Sequence, residues 1–438
     1  MRFPLLALVP ALFLFHAASA RADEPGAMGV ASDDDSIGTK PARSERTQAV
    51  PAVMSPTGVG GSSMWSEEST AEQDQLRARR AAIATDPPPN WAVLHAGLRP
   101  RLGTFGGIAT FAAAHARTEQ LYGGFSLSAV RNDAGTHIGA AQIALGRNLS
   151  DTFGGGMQLS IGENRARTFI GVGQVALAYN RSLAFNGVAQ VAAYNRAKTF
   201  TGLVQLGPYN RTDESFAGVG QLGLYDHSHR DFTGLVQVGV VAATGPHVFG
   251  DFDDHDRARK ERFAGLAQVG ALSTTDGNFY GLTQVGGGAF TSGNFRGLVQ
   301  IGALGAGAGS FHGLAQIGTV ALSRESIGLQ IGGAAISTED HTGLQVGGAG
   351  TWAKSVSGGQ IGIVNLAEKV NGVQIGVFNH AKSLRGVQIG LANHAIDGVL
   401  PWTALINMGF GDGSSDHGGD DDDDDNNSGY AKSQARAR

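Results

Sequence analysis

Phe200–Gly207 reads FTGLVQLG, Phe232–Gly239 reads FTGLVQVG and Phe295–Gly302 reads FRGLVQIG. Aligned on the glutamine, the unit F-x-G-[LV]-x-Q-[VIL]-G recurs through the first part of the array and shortens to G-[LV]-Q-[IV]-G in the second. The aligned glutamines are Gln142, Gln158, Gln174, Gln190, Gln205, Gln221, Gln237, Gln268, Gln284, Gln300, Gln316, Gln330, Gln345, Gln360, Gln374 and Gln388. Successive intervals are 15 or 16 residues up to Gln316 and 14 or 15 beyond it; one interval of 31, from Gln237 to Gln268, holds a charged insertion at 250–262, GDFDDHDRARKER. Self-similarity at a fixed short period identifies a repeat architecture before any residue-level argument.

The unit has strand chemistry. The residues on either side of each glutamine are apolar or small, as in Val204 and Leu206 or Val299 and Ile301, and such alternation with β-branched residues argues strand. Phenylalanine stands five residues before the glutamine in most early units, from Phe153 and Phe169 to Phe295 and Phe311. In a continuous strand that parity places Phe on the face of the flanking apolar pair, with Gln and Gly opposite. Two residues after every glutamine comes Gly, Ala or Ser, and polar connectors follow, such as NRTDES at Asn210–Ser215.

Two all-β architectures accommodate this unit. In a β-solenoid each unit is one coil, stacked at about 4.8 Å per rung. In an antiparallel transmembrane β-barrel each unit is one spanning strand. Barrel connectors should alternate long and short, but here Tyr-Asn-Arg follows three consecutive units, at Tyr179, Tyr194 and Tyr209. The apolar phase also shifts after the glutamine, with large residues at Val241, Leu272, Leu304, Val320, Val364 and Phe378, as a corner at the small residue would produce. The face bearing Gln has hardly a charge, which suits a ladder better than a water-filled pore. A solenoid is favoured. The barrel alternative rests on Asp397-Gly398, a hairpin signal, on Phe200 and Tyr209 bracketing a charge-free strand, and on the strand VLPWTALINMGF ending at Phe410.

The stretch Gly358–Asn393, with GGQIGIVNLAEKV, NGVQIGVFNHAKSL and RGVQIGLANHA, followed by LPWTALINMGF, resembles bacterial surface-repeat proteins that carry tandem G-V-Q-I-G-[LV]-x-N units behind a signal peptide. The match covers about the last quarter of the array; the earlier units are a looser variant. The resemblance implies an exported or surface-exposed protein of unassigned activity and transfers no catalytic residue.

The ends differ from the array. Residues 1–22 read as a signal peptide, with Arg2, the apolar run Phe3–Phe15 and the cleavage site Ala18-Ser19-Ala20. That places the chain outside the cytoplasm, at the cell surface, outer membrane or periplasm of a bacterium. Residues 23–90 have a disorder-type composition, with one helix expected at 69–84 from the capping box Ser69-Thr70-Ala71-Glu72. Arg77, Arg79 and Arg80 on it are read as a solvated face. The array runs 91–410, and 411–438 is an Asp-rich disordered tail. The formal net charge of −5 belongs to that tail: from residue 411 on, eight Asp stand against one Lys and two Arg.

Composition narrows the chemistry. With Cys 0 of 438 residues, disulfide scaffolds, thiolate metal sites and cysteine catalysis are excluded. The absence of a basic surplus argues against nucleic-acid binding. Gly218–Gly223 matches G-x-G-x-x-G, but as a by-product of a strand repeat with no helix expected after it. Asp253, Asp254, His255 and Asp256 could bind a cation through oxygen; with Arg257, Arg259, Lys260, Glu261 and Arg262 beside them, the reading is a self-neutralising loop. Asp420–Asp425 reads as an extended solvated run. His380 and His394, 14 apart in successive units, are expected to stack at one edge as a structural ladder. The expectation is an exported structural or adhesion-like binding protein that is no enzyme, with no catalytic, cofactor-binding or metal residue assigned, no cofactor, and an unidentified envelope or extracellular ligand; the alternative is a barrel with a pore or envelope-integrity role.

Overall fold

The computed structural model describes residues 90–248 and 261–411, all within the unit Leu76–Arg438. The expected signal peptide, nearly all of the 23–90 segment with its helix, Asp253–Asp256, and the tail beyond Gly411 lie outside the described residues. Strands run from Asn90 to Phe410, and all but the last pair parallel with the strands one repeat before and after, in register. Gln205 lies opposite Gln190 and Gln221, Phe216 opposite Phe200 and Phe232. The array is a parallel β-solenoid. The barrel alternative fails on this pairing, because neighbouring spans of an antiparallel barrel cannot run in the same direction.

Each coil is a triangle, plainest where its corners are sharpest. Tyr225–Ser228, Asp231–Thr233 and Val236–Val238 are three short strands, here called sides A, B and C. Two-residue bends at His229-Arg230, Gly234-Leu235 and Gly239-Val240 separate them. Side B turns Phe232 inward and side C turns Gln237 inward, both with no solvent exposure, while Val236 and Val238 face out. The parity expectation therefore needs correction. Phe and Gln share the interior, and the aliphatic pair beside the glutamine is on the outside. The bend at Gly-Leu between them resets the alternation, so counting by twos across it fails. The corner after the glutamine falls at the small residue, where the apolar phase shift puts it.

Three interior columns hold the stack. Phe153 through Phe311 stack ring on ring, with centroids 4.8–5.2 Å apart and planes within 10°. The glutamines form an unbroken amide ladder, each Nε2 donating to the Oε1 of the preceding glutamine at 2.7–3.0 Å. On side A, Asn132, Asn148, Asn164, Asn180, Asn195 and Asn210 form a second ladder of opposite polarity, each Nδ2 donating to the next Oδ1 and to a backbone carbonyl at the corner, as Asn195 does to Leu206 at 2.9 Å. Such ladders satisfy buried amides while fixing the register rung by rung.

The insertion leaves the stack undisturbed. It departs after side A at Thr244 and returns to side B at Arg262, while Gln268 donates directly to Gln237 at 2.9 Å. Beyond Phe311 the phenylalanine position is taken by Ser326, His341, Val356, Val370 and Leu384, each four rather than five residues before its glutamine. The lost residue tightens the corner between sides B and C, where Gly328, Gly343, Gly358, Gly372 and Gly386 all adopt φ between 124° and 145°. A Cβ at Gly372 would collide with the carbonyl oxygen of Gly358 one coil below. The final strand, Trp402–Phe410, turns back after Asp397-Gly398 and pairs antiparallel with Arg385–His394. Its Asn407 donates to Gln388 Oε1 at 3.3 Å and supplies the last rung of the glutamine ladder.

Candidate functional site: the tyrosine–arginine face

The outward positions of side A carry most of the polar chemistry. Residues in register one coil apart lie in columns, so Tyr179, Tyr194, Tyr209 and Tyr225 make one column and Arg165, Arg181, Arg196, Arg211 and His227 the next. Tyr194 and Tyr209 stack at 4.6 Å, Tyr209 and Tyr225 at 4.7 Å. Asp213 ties two arginines together, accepting from Arg211 Nε at 2.8 Å and from Arg196 Nε at 3.0 Å. Arg181 lies over the ring of Tyr179, 5.8 Å from its centroid.

At the end of this face the chemistry is densest. His227 Nε2 lies 2.8 Å from the carbonyl oxygen of Gly245, at the stem of the insertion. That nitrogen must carry the proton, so Nδ1 accepts from the Tyr225 hydroxyl at 3.4 Å. Burial lowers His227 to about 4 and raises Tyr225 to about 12; both are neutral near pH 7. His227 meets His229 edge-on at 5.7 Å.

Asp226 is adjacent in sequence and faces inward. It takes the seventh place in the asparagine ladder, accepting from Asn210 at 2.7 Å through Oδ1. The next rung is Ala242, which offers nothing, and Oδ2 is buried with no partner. Burial drives its carboxyl up to about 7, against the lowering effect of hydrogen bonds from Asn210 and the Gly223 backbone. Because the folded state holds this proton more tightly than the unfolded chain, stability falls as pH rises from about 4 to about 7 and stays low above that. Asp226→Asn is expected to raise the unfolding free energy by about 1–3 kcal/mol at pH 8 and by little at pH 4. Urea melts at the two pH values check it, and equal gains at both would contradict a carboxylate penalty.

The residues singled out by sequence are distributed otherwise. Gly218–Gly223 spans a bend and the strand Gly220–Leu222, with no helix after it among the described residues, so no dinucleotide cradle forms. His380 and His394 stack at 4.9 Å, with Nδ1 atoms 2.7 Å apart, and Trp402 of the final strand covers His394 at 4.2 Å. Among the described residues no three His, Asp or Glu side chains are grouped to hold a metal ion. Sequence reasoning missed the asparagine ladder and Asp226; the signal was present, since Asn follows Tyr in each Y-N-R unit and closes each G-V-Q-I-G-x-x-N unit.

Fold and site together define a parallel β-solenoid with chemically distinct flat sides. Comparison with protein-family models, with curated proteins and with solved structures finds no match.

Proposed function

We propose that this is an exported bacterial protein of the envelope or cell surface, with a structural and binding role and no catalysis. The observation that carries the reading is the glutamine ladder, unbroken from Gln142 to Gln388, which builds a stiff regular support, with side A presenting stacked tyrosines beside arginines tied by Asp213. Repeat arrays of this kind offer extended surfaces whose neighbouring units act together on a partner. The signal-peptide features of residues 1–22 and the resemblance of Gly358–Asn393 to surface-repeat proteins supply the address. Among the described residues Asp226 points into the coil, and His227 points out with both nitrogens engaged by Tyr225 and Gly245, so these two neighbours do not converge on one reacting centre.

Fractionation of expressing bacterial cells tests the address. The protein is expected in the periplasmic or surface fraction, shortened at its N-terminus, and Leu6→Arg in the apolar run should leave a full-length product in the cytoplasm. An unprocessed cytoplasmic wild-type protein would overturn the proposal. For the binding role, Tyr194→Ala with Tyr209→Ala should reduce retention on isolated envelopes at least about tenfold, because each stacked aromatic contributes on the order of 1 kcal/mol. Unchanged retention would remove side A from that role.

A further inference from the structure

Side C is the opposite of side A. Sixteen glutamines point inward, and the thirty-two residues flanking them form its outward surface, from Ala141 and Ile143 to Val387 and Ile389. Thirty-one are aliphatic, Gly or Met; Thr283 is the exception. None is charged. The bordering corner residues extend the strip without a charge, and Leu203, Leu235, Leu282, Leu298 and Leu314 are each about half-exposed or more. At its N-terminal end lies a shallow apolar hollow lined by Phe111, Leu127, Ile143 and Leu145. Apolar surface this continuous marks a contact face.

We propose that side C is the interface of a homodimer, in which two copies of this chain pack side C against side C about a twofold axis. Three observations select a second copy. The extent fits: fifteen rung intervals at about 4.8 Å give about 70 Å, and three strand residues give about 10 Å of width, hence about 700 Å² per partner, close to the roughly 800 Å² that a stable interface buries on each side. The relief also fits, since two aliphatic columns repeating at one rung spacing mesh with an identical pair as the inner faces of two packed sheets do, and a twofold interface needs only such a self-complementary face. Finally, among the described residues the tyrosine column lies on side A, and the insertion leaves and rejoins the stack at the corner between sides A and B, away from side C.

The test is the mass of the full chain in solution, by sedimentation equilibrium from about 1 to 100 μM, for wild type and for Leu222→Glu with Val238→Glu. Both residues face outward on side C of adjacent coils. Wild type is expected at twice the monomer mass. The double variant should be monomeric, with its dissociation constant raised at least about a hundredfold, since each copy would bury two carboxylates without partners in an apolar face. Thr201→Glu with Thr233→Glu on side B should leave the dimer intact, and circular dichroism should be the same for all three. With no cysteine in the chain, Val238→Cys gives a second readout free of folding concerns: a short bismaleimide should join two chains through position 238, and not through Thr233→Cys. A monomeric wild type at 100 μM overturns the proposal. So does a dimer indifferent to the side C carboxylates, or a wild-type monomer that binds phosphatidylcholine vesicles through side C.

Discussion

Gln237→Leu is expected to lower the unfolding free energy by about 3 kcal/mol and to open the coils on both sides of the substitution. The glutamine amide serves five partners. Its Nε2 donates to Gln221 Oε1 at 3.0 Å and to the Ala243 carbonyl at 3.0 Å, with a longer bond to the Asp226 carbonyl at 3.3 Å. Its Oε1 accepts from Gln268 Nε2 at 2.9 Å and from Thr244 Oγ1 at 3.3 Å. Leucine fills the volume and makes none of these bonds. Gln268 retains Thr274 as an acceptor and Gln221 retains Ser228 as a donor, so the loss falls short of five full bonds. The Thr244 hydroxyl and the Ala243 carbonyl lose this glutamine in a place water does not reach, at about 1–3 kcal/mol for each buried group left unmatched. Nearest-neighbour coupling in a repeat array makes the effect local. Hydrogen exchange should rise in the coils of Gln221, Gln237 and Gln268 and stay unchanged near Gln374. The outward Thr233→Ser on side B should change stability by less than about 0.5 kcal/mol. Equal effects of the two would mean that the ladder contributes nothing beyond strand pairing.

The second large effect is acid lability. His137 occupies the phenylalanine column, stacked on Phe153 at 5.0 Å, with both ring nitrogens buried and unpartnered. His341 occupies the same column where the phenylalanines have ended, its Nδ1 2.7 Å from Ser326 Oγ. Burial lowers both, and His227 with them, to about 4 from an ordinary 6.5. Between those values the unfolded chain binds protons that the folded chain refuses, so stability falls as pH drops from 6.5 to 4, by on the order of 3 kcal/mol for each histidine. Asp226 works in the opposite sense over an overlapping range and offsets about one of the three. His137→Phe should restore the aromatic stack and remove its share of the loss. The variant should gain more at pH 4.5 than at pH 7.5, read as protection of the coils at Leu121, His137 and Phe153. Identical pH profiles for variant and wild type would show that His137 protonates without cost.

Much of this was legible along the chain. Glutamine spacing predicts the coil, and the small residue after each glutamine marks a true corner. The three Y-N-R units, against the alternation a barrel requires, point to parallel stacking, as the structure has it. Asp397-Gly398 does make an antiparallel hairpin, but for one terminal strand that closes the glutamine ladder with Asn407. What misled was the assumption of one continuous strand through Phe-x-Gly-Leu. A two-residue bend changes which parity is inside, and Gly-Leu does not announce it as Gly-Pro or Asn-Gly would.

The sequence by itself determined the period, the strand chemistry and the identity of each rung, because these are properties of residues at fixed offsets and need no partner. Only the tertiary structure decided which side of each residue is inside. Stacking converts a single buried glutamine, which would be a liability, into a satisfied ladder, and it moves the aliphatic pair beside that glutamine from expected core to exposed strip. It also gives Asp226 and His227, neighbours in the chain, opposite surroundings. Those outcomes depend on what lies one coil above and below, and that is set by closure of the triangle rather than by any single unit.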